Sequence, residues 1–181
     1  MNLRPLFVAV AALAVTAPAQ ANLPVGATAP IFATQGAKAG KPFAINLRTA
    51  LRKGPLVLYF YPKAFTQGCT LEAKAFADAS PQFAAAGATV VGMSADDLPT
   101  LQKFSTEACR DKFAVAIATP AIIKAYNVDL QREGVSTGLT TRTSYVIGQD
   151  GKVRFVHSNM DYKDHVRLTL EAVQALRKAK R

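Results

Sequence analysis

The chain has 181 residues, half of them hydrophobic and 19% charged, enough to bury one substantial core but short for two full-sized domains. Its 22 Lys and Arg against 12 Asp and Glu give a net charge of +10, and no apolar run reaches the ~20 residues of a bilayer-spanning helix, which excludes a polytopic membrane protein. Two cysteines are too few for a disulfide scaffold or a cysteine-only zinc site and enough for one redox pair.

The first 21 residues read as a cleaved signal peptide: Arg4 supplies a positive region, residues 6–15 are apolar, and Ala19-Gln20-Ala21 has the small-x-small form of a cleavage site. That places residues 22–181 outside the cytoplasm, in the periplasm for a signal of bacterial type, with no stable membrane insertion after cleavage. Residues 22–53, rich in Pro, Gly and Ala, predict short strands and loops such as Phe43–Asn46. Residues 55–61, PLVLYFY, are continuously apolar and β-prone between Gly54 and Pro62, the pattern of a central strand buried on both faces.

A helix follows in which Cys69, Glu72, Ala73 and Phe76 share one face, and Pro81 is expected to interrupt it. Residues 88–93 predict a second buried strand. Asp96 and Asp97 can cap a further helix with Pro99 in its first turn, and Leu98, Leu101, Phe104 and Ala108 form its apolar stripe with Cys109 at the edge. Ala114–Ala118 predicts another strand, and residues 141–147 and 152–157 a β-hairpin turning at residues 148–151. Tyr162, Val166, Leu170, Val173 and Leu176 recur at helical spacing in a closing helix, whose basic end, residues 177–181, suits the helix dipole. Strands alternating with helices, then a hairpin and a helix, predict an α/β sandwich around a mixed sheet in one domain.

Only the thiols combine unusual placement with intrinsic reactivity. Cys69 lies one turn after Thr66 at the start of a helix that leaves a buried strand, where unpaired N–H groups and the positive dipole end favour a thiolate. Placement alone leaves a buried structural cysteine equally open. His157 and His165 stand isolated in sequence, without metal-ligand spacing to either cysteine, and are assigned to surface or packing roles. No cofactor or metal is indicated, and the basic tail carries no nucleic-acid motif.

The string Tyr59-Phe60-Tyr61-Pro62-Lys63-Ala64-Phe65-Thr66-Gln67-Gly68-Cys69-Thr70, with Glu72 following, contains Pro-x-x-x-Thr-x-x-Cys. With Ser94-Ala95-Asp96 and Arg142-Thr143-Ser144-Tyr145-Val146-Ile147, it resembles the peroxiredoxin family of the alkyl hydroperoxide reductase/thiol-specific antioxidant type, nearest its Q-type or bacterioferritin-comigratory-protein subfamily. The resemblance implies a thioredoxin-like fold, a central mixed β-sheet flanked by helices, over residues 22–181. It also implies a peroxidase that reduces hydrogen peroxide and organic hydroperoxides and is recycled by a thioredoxin-like protein, as a monomer or weak homodimer.

Carried over by position, Cys69 would be the peroxidatic cysteine, Thr66 a hydrogen-bonding partner of the peroxide, Pro62 a shield of the pocket, and Arg142 the cation beside the sulfur. Glu72 would hold Arg142. Some Q-type members carry a resolving cysteine five residues after the peroxidatic one, a position held here by Lys74; others carry it in the next helix, which Cys109 resembles. The resemblance thus implies an intramolecular Cys69–Cys109 disulfide, with a static bridge or an external resolving thiol as the alternatives. A thiol–disulfide oxidoreductase would require Cys-x-x-Cys, and Glu72 stands at the second position; copper delivery would require a close cysteine pair. The remaining non-enzymatic alternative is an exported binding or sensor module with a static disulfide.

Overall fold

The computed structural model describes residues 21–179. The signal-like segment through residue 20, with Lys180 and Arg181, lies outside these. Two antiparallel strands, β1 (Ala33–Lys38) and β2 (Lys41–Asn46), open the fold and lead into the short helix α1 (Leu47–Leu51), capped by the side chain of Asn46. Then come β3 (Leu56–Phe60), α2 (Gln67–Ala85), β4 (Thr89–Ser94), α3 (Leu98–Glu107), β5 (Ala114–Ile117) and α4 (Pro120–Ala125). A two-stranded ribbon, β6 (Asp129–Arg132) with β7 (Val135–Thr140), precedes the hairpin β8 (Thr143–Ile147) and β9 (Val153–Ser158), and α5 (His165–Lys178) closes the chain.

Seven strands form one mixed sheet in the order β2-β1-β5-β4-β3-β8-β9. β3 and β4 pair in parallel, as do β4 and β5, through the crossovers α2 and α3, while β8 runs antiparallel against β3. β3 is interior but one place from the middle position, which β4 occupies. Every residue of β3 is buried, and its alternation sorts them between two cores. Val57, Tyr59 and the following Tyr61 join Phe76, Phe83, Phe104 and Val173 of α2, α3 and α5 on one face. Leu56, Leu58 and Phe60 join Leu47, Ile122 and Ile123 of α1 and α4 on the other.

Two expectations are corrected. Pro81 does not interrupt α2, which continues to Ala85. Pro81 is itself exposed, while Phe76 and Ala77 before it and Phe83 after it bury in one core, so packing on both sides outweighs the lost hydrogen bond. The closing helix starts only at His165, and its innermost positions are His165, Thr169 and Val173, with Val166, Leu170 and Leu176 beside them. The polar pair is tolerated because the Thr169 hydroxyl donates to the His165 carbonyl at 2.6 Å and the imidazole is itself bonded.

Tyr59 stacks on Phe76 with ring centroids 4.3 Å apart and lies across Gly92 of β4, where a Cβ would come within 2.7 Å of the ring. Its hydroxyl is buried without a hydrogen-bond partner, a desolvation cost with no return. Tyr59→Phe is therefore expected to stabilise the protein by roughly 1 kcal/mol, read as a higher urea midpoint at unchanged slope.

Candidate active site

The site sits where the chain leaves the carboxyl end of β3 and enters α2. Asp96 pins this crossing: its carboxylate accepts from the Ala64 N–H at 2.7 Å and the Ser94 hydroxyl at 2.8 Å. Only Asp97, not Asp96, caps α3, accepting from Thr100 N–H at 2.9 Å. Behind the loop the buried Thr140 hydroxyl donates to the Tyr61 carbonyl at 2.8 Å. Phe65, just before the helix, takes φ +63°, a conformation costly for a bulky side chain. Its half-exposed ring packs edge-on against Phe104 at 5.2 Å.

Thr66 is the N-cap residue of α2, and Cys69 lies in the first helical turn, 2% exposed. Arg142, at the end of the β7–β8 connection and 5% exposed, reaches the sulfur: its Nη2 donates to Cys69 Sγ at 3.4 Å. The same guanidinium donates through Nη1 to Glu72 Oε2 and through Nε to the Met160 carbonyl at 2.9 Å. Three directions of the planar fork are thus fixed by three partners. Gly68 leaves room for it, since a Cβ there would stand 3.2 Å from Nη2.

The structure therefore brings Cys69, Arg142 and Glu72 into one contact set. Thr66 stands one turn earlier, exposed, its hydroxyl donating to the Lys63 carbonyl at 3.0 Å, and Pro62 is half-buried in the loop. Cys109 is not bonded to Cys69; both thiols are free and buried. Cys109 lies just past α3, in the same core cluster as Cys69, Tyr59 and Tyr61. Arg110 and Asp111 after it both take positive φ, +51° and +60°, so this turn holds two residues in a sparsely populated conformation. Burial pushes the Cys109 thiol well above its ordinary value.

His165, expected in a surface or packing role, packs beside the site. Fully buried, it lies with Nδ1 3.7 Å from Glu72 Oε1 and 2.8 Å from the Ser144 hydroxyl, and with its ring centroid 4.6 Å from that of His157. Nε2 faces the Asn159 carbonyl at 2.9 Å and must donate to it, so in the neutral ring Nδ1 accepts from Ser144. Burial, with His157 and Arg142 adding to it, lowers His165 to about 4, against the Asn159 carbonyl. Glu72 Oε1 has no hydrogen-bond partner. Burial raises Glu72 to about 8 even with Arg142 beside it. Burial also opposes the charge of Arg142, but Glu72 and Cys69 outweigh it and hold the guanidinium above its ordinary value. The arginine stays charged, and Glu72 holds a proton more tightly than an ordinary carboxyl.

These shifts set a pH profile for stability. Between about 4.5 and 8 the folded chain keeps a proton on Glu72 that the unfolded chain has released, so this contribution is complete below 4.5 and lost as pH rises to 8. His165 works the other way: between about 4 and 6.5 the unfolded chain binds a proton that the folded chain refuses, so stability there falls as pH falls. The two slopes oppose each other below 6.5. Above it the Glu72 slope is unopposed, and unfolding free energy is expected to drop as pH rises towards 8, on the order of 1 kcal/mol per pH unit. Urea titrations at pH 6.5 and 8 check this, and Glu72→Gln should flatten the slope.

The AhpC/TSA family model matches residues 25–156. The chain belongs to this family, that of the peroxiredoxins. Peroxiredoxin Q, a chloroplast protein of Sedum lineare, is 30% identical over 158 residues, covering 87% of this chain and 81% of that one. The Oryza sativa subsp. japonica peroxiredoxin Q is 32% identical over 123 residues, 67% of this chain; the chain spans 55% of that relative's length. Among solved structures, the peroxidoxin BcpB of Mycobacterium tuberculosis is similar with a TM-score of 0.73 and 32% identity, covering 84% of this chain and 97% of that one. The fold is thus thioredoxin-like, its mixed sheet flanked by helices as the peroxiredoxin resemblance implies.

Proposed function

We propose that this peroxiredoxin is a thiol-dependent peroxidase that reduces hydrogen peroxide and organic hydroperoxides at Cys69. The observation that carries this reading is the buried Arg142 guanidinium, which donates to the Cys69 sulfur at 3.4 Å while Glu72 and the Met160 carbonyl fix its orientation. The Cys69 thiolate attacks one peroxide oxygen; the S–O bond forms as the O–O bond breaks, and the departing oxygen leaves as water or an alcohol after taking up a proton. Charge builds on that oxygen, and a fixed guanidinium lowers the barrier by meeting it in a water-poor site. Thr66, at the exposed side of the same turn, supplies a hydroxyl to the bound peroxide, and Pro62 covers the loop side.

The sulfenic acid left on Cys69 is attacked by the Cys109 sulfur, expelling water and closing a disulfide. Two free thiols sharing one core cluster, with strained residues beside Cys109, support that partnership. A thioredoxin-like protein dithiol then returns both thiols. The signal-like pattern of residues 1–21 supports action in the periplasm, as a monomer or weak homodimer, with electrons delivered by that partner.

Mixing reduced protein with one equivalent of hydrogen peroxide tests the scheme. The wild type is expected to lose both thiols and two hydrogens by intact mass. Cys109→Ser should gain one oxygen on Cys69 and then a second as peroxide is raised. A wild type that reacts no faster than a free thiol would overturn the peroxidase reading and leave an exported binding module.

A further inference from the structure

A cavity of about 630 Å³ opens at the end of the sheet remote from Cys69. Its walls come from β2, α1, the last turns of α2 and the starts of β4 and β5. Phe83 in the wall lies fourteen positions after Cys69 along α2, about 21 Å at the helical rise. Apolar side chains of both cores reach its wall, Phe83, Val90 and Phe113 from one and Ile45 with half-buried Phe43 from the other, beside the polar Asn46, Thr49, Ser80 and Thr89. Such a volume and lining suit a small organic ligand.

Three lysines, Lys38, Lys53 and Lys112, line the same cavity, and no Asp or Glu does. All three are exposed, and none has a carboxylate partner among the described residues. The strand register explains why they gather. Ala37 pairs with Val115 and Val91 with Ala114, which brings Lys38 and Lys112 to the start of β5; Thr89 N–H bonds the Pro55 carbonyl, which brings Lys53 to the start of β4. Long lysine stems cover apolar surface while their ammonium groups stay in water.

We propose that this cavity binds a single-chain fatty carboxylate, its alkyl chain between Phe43, Phe83 and Phe113 and its headgroup among Lys38, Lys53 and Lys112. The charge selects an anion and the aromatic interior selects an alkyl chain, so neither a short carboxylate nor a neutral alcohol satisfies both. The site is separate from Cys69 and does not depend on the peroxidase reading.

Sodium dodecanoate below its micellar concentration is the probe, added to the reduced, ¹⁵N-labelled protein. Amide shifts are expected at Ile45, Phe83, Val90 and Lys112, with dodecanol and hexanoate each binding at least tenfold more weakly. The double variant Lys53→Glu, Lys112→Glu should bind dodecanoate at least tenfold more weakly, at an unfolding midpoint close to wild type because both side chains are exposed. Lys53→Gln, Lys112→Gln serves the same end should charge reversal disturb folding. Shifts confined to residues 65–70 and 159–162, equal binding of dodecanol, indifference to the lysine variants, or binding only to anionic vesicles would each overturn the proposal.

Discussion

Cys69→Ser is expected to reduce peroxide consumption to the level of buffer, measured by stopped flow with the wild type and Cys109→Ser beside it. A serine hydroxyl presents no thiolate, and the Arg142 fork cannot make it one. The second thiol offers no substitute: burial holds Cys109 in its protonated form, in which sulfur is a poor nucleophile. Cys109→Ser should keep the first oxidation at the wild-type rate and lose turnover with a dithiol reductant. Wild-type consumption by Cys69→Ser with oxidation at Cys109 would exchange the two roles.

Arg142→Met is expected to slow the first oxidation by roughly 10²–10³-fold, the magnitude usual for removing one charged donor aimed at a developing oxyanion. Methionine fills similar space without charge, so the loss reports electrostatics rather than a cavity. Removing one partner of a buried ion pair ordinarily costs about 3–5 kcal/mol. Here the cost should be smaller, because Glu72 is raised to about 8 even beside the cation and simply keeps its proton. Arg142→Lys should recover little, since one ammonium cannot serve Cys69, Glu72 and Met160 from a single plane. An unchanged rate in Arg142→Met, with the fold intact by urea titration, would remove Arg142 from the mechanism.

β3, β4, β5, the β8–β9 hairpin and the first half of α2 were legible because their signals are local. An apolar β-prone run between Gly54 and Pro62, followed by a helical stripe that includes Cys69 and Glu72, needs no distant partner to be read. Continuation of α2 past Pro81 was not legible, because the opposing burial of Phe76, Ala77 and Phe83 is a tertiary effect. The β6–β7 ribbon was missed for a different reason: most of its residues are exposed, so no hydrophobic alternation marks it. α1 and α4, five and six residues long, are too short to show a period. Cys69 and Arg142 could be brought together only through the family resemblance, since spacing says nothing of contacts so distant along the chain. His165 carried one usable signal, a histidine at the start of an amphipathic helix, but its approach to Glu72 depends on how α5 lies against α2.

In the proposed scheme, the burial of Cys109 would make the fate of an oxidised Cys69 a race between two clocks. One is the local opening that frees the turn after α3, where Cys109 N–H is held by the Phe104 carbonyl and Arg110 is tied to Asp78 of α2. The other is the arrival of a second peroxide, which would carry the sulfur to an irreversible sulfinic acid. The first clock is set by sequence and independent of oxidant, whereas the second quickens with every rise in peroxide. The turn's mobility would therefore define the oxidant concentration above which the protein is consumed rather than recycled.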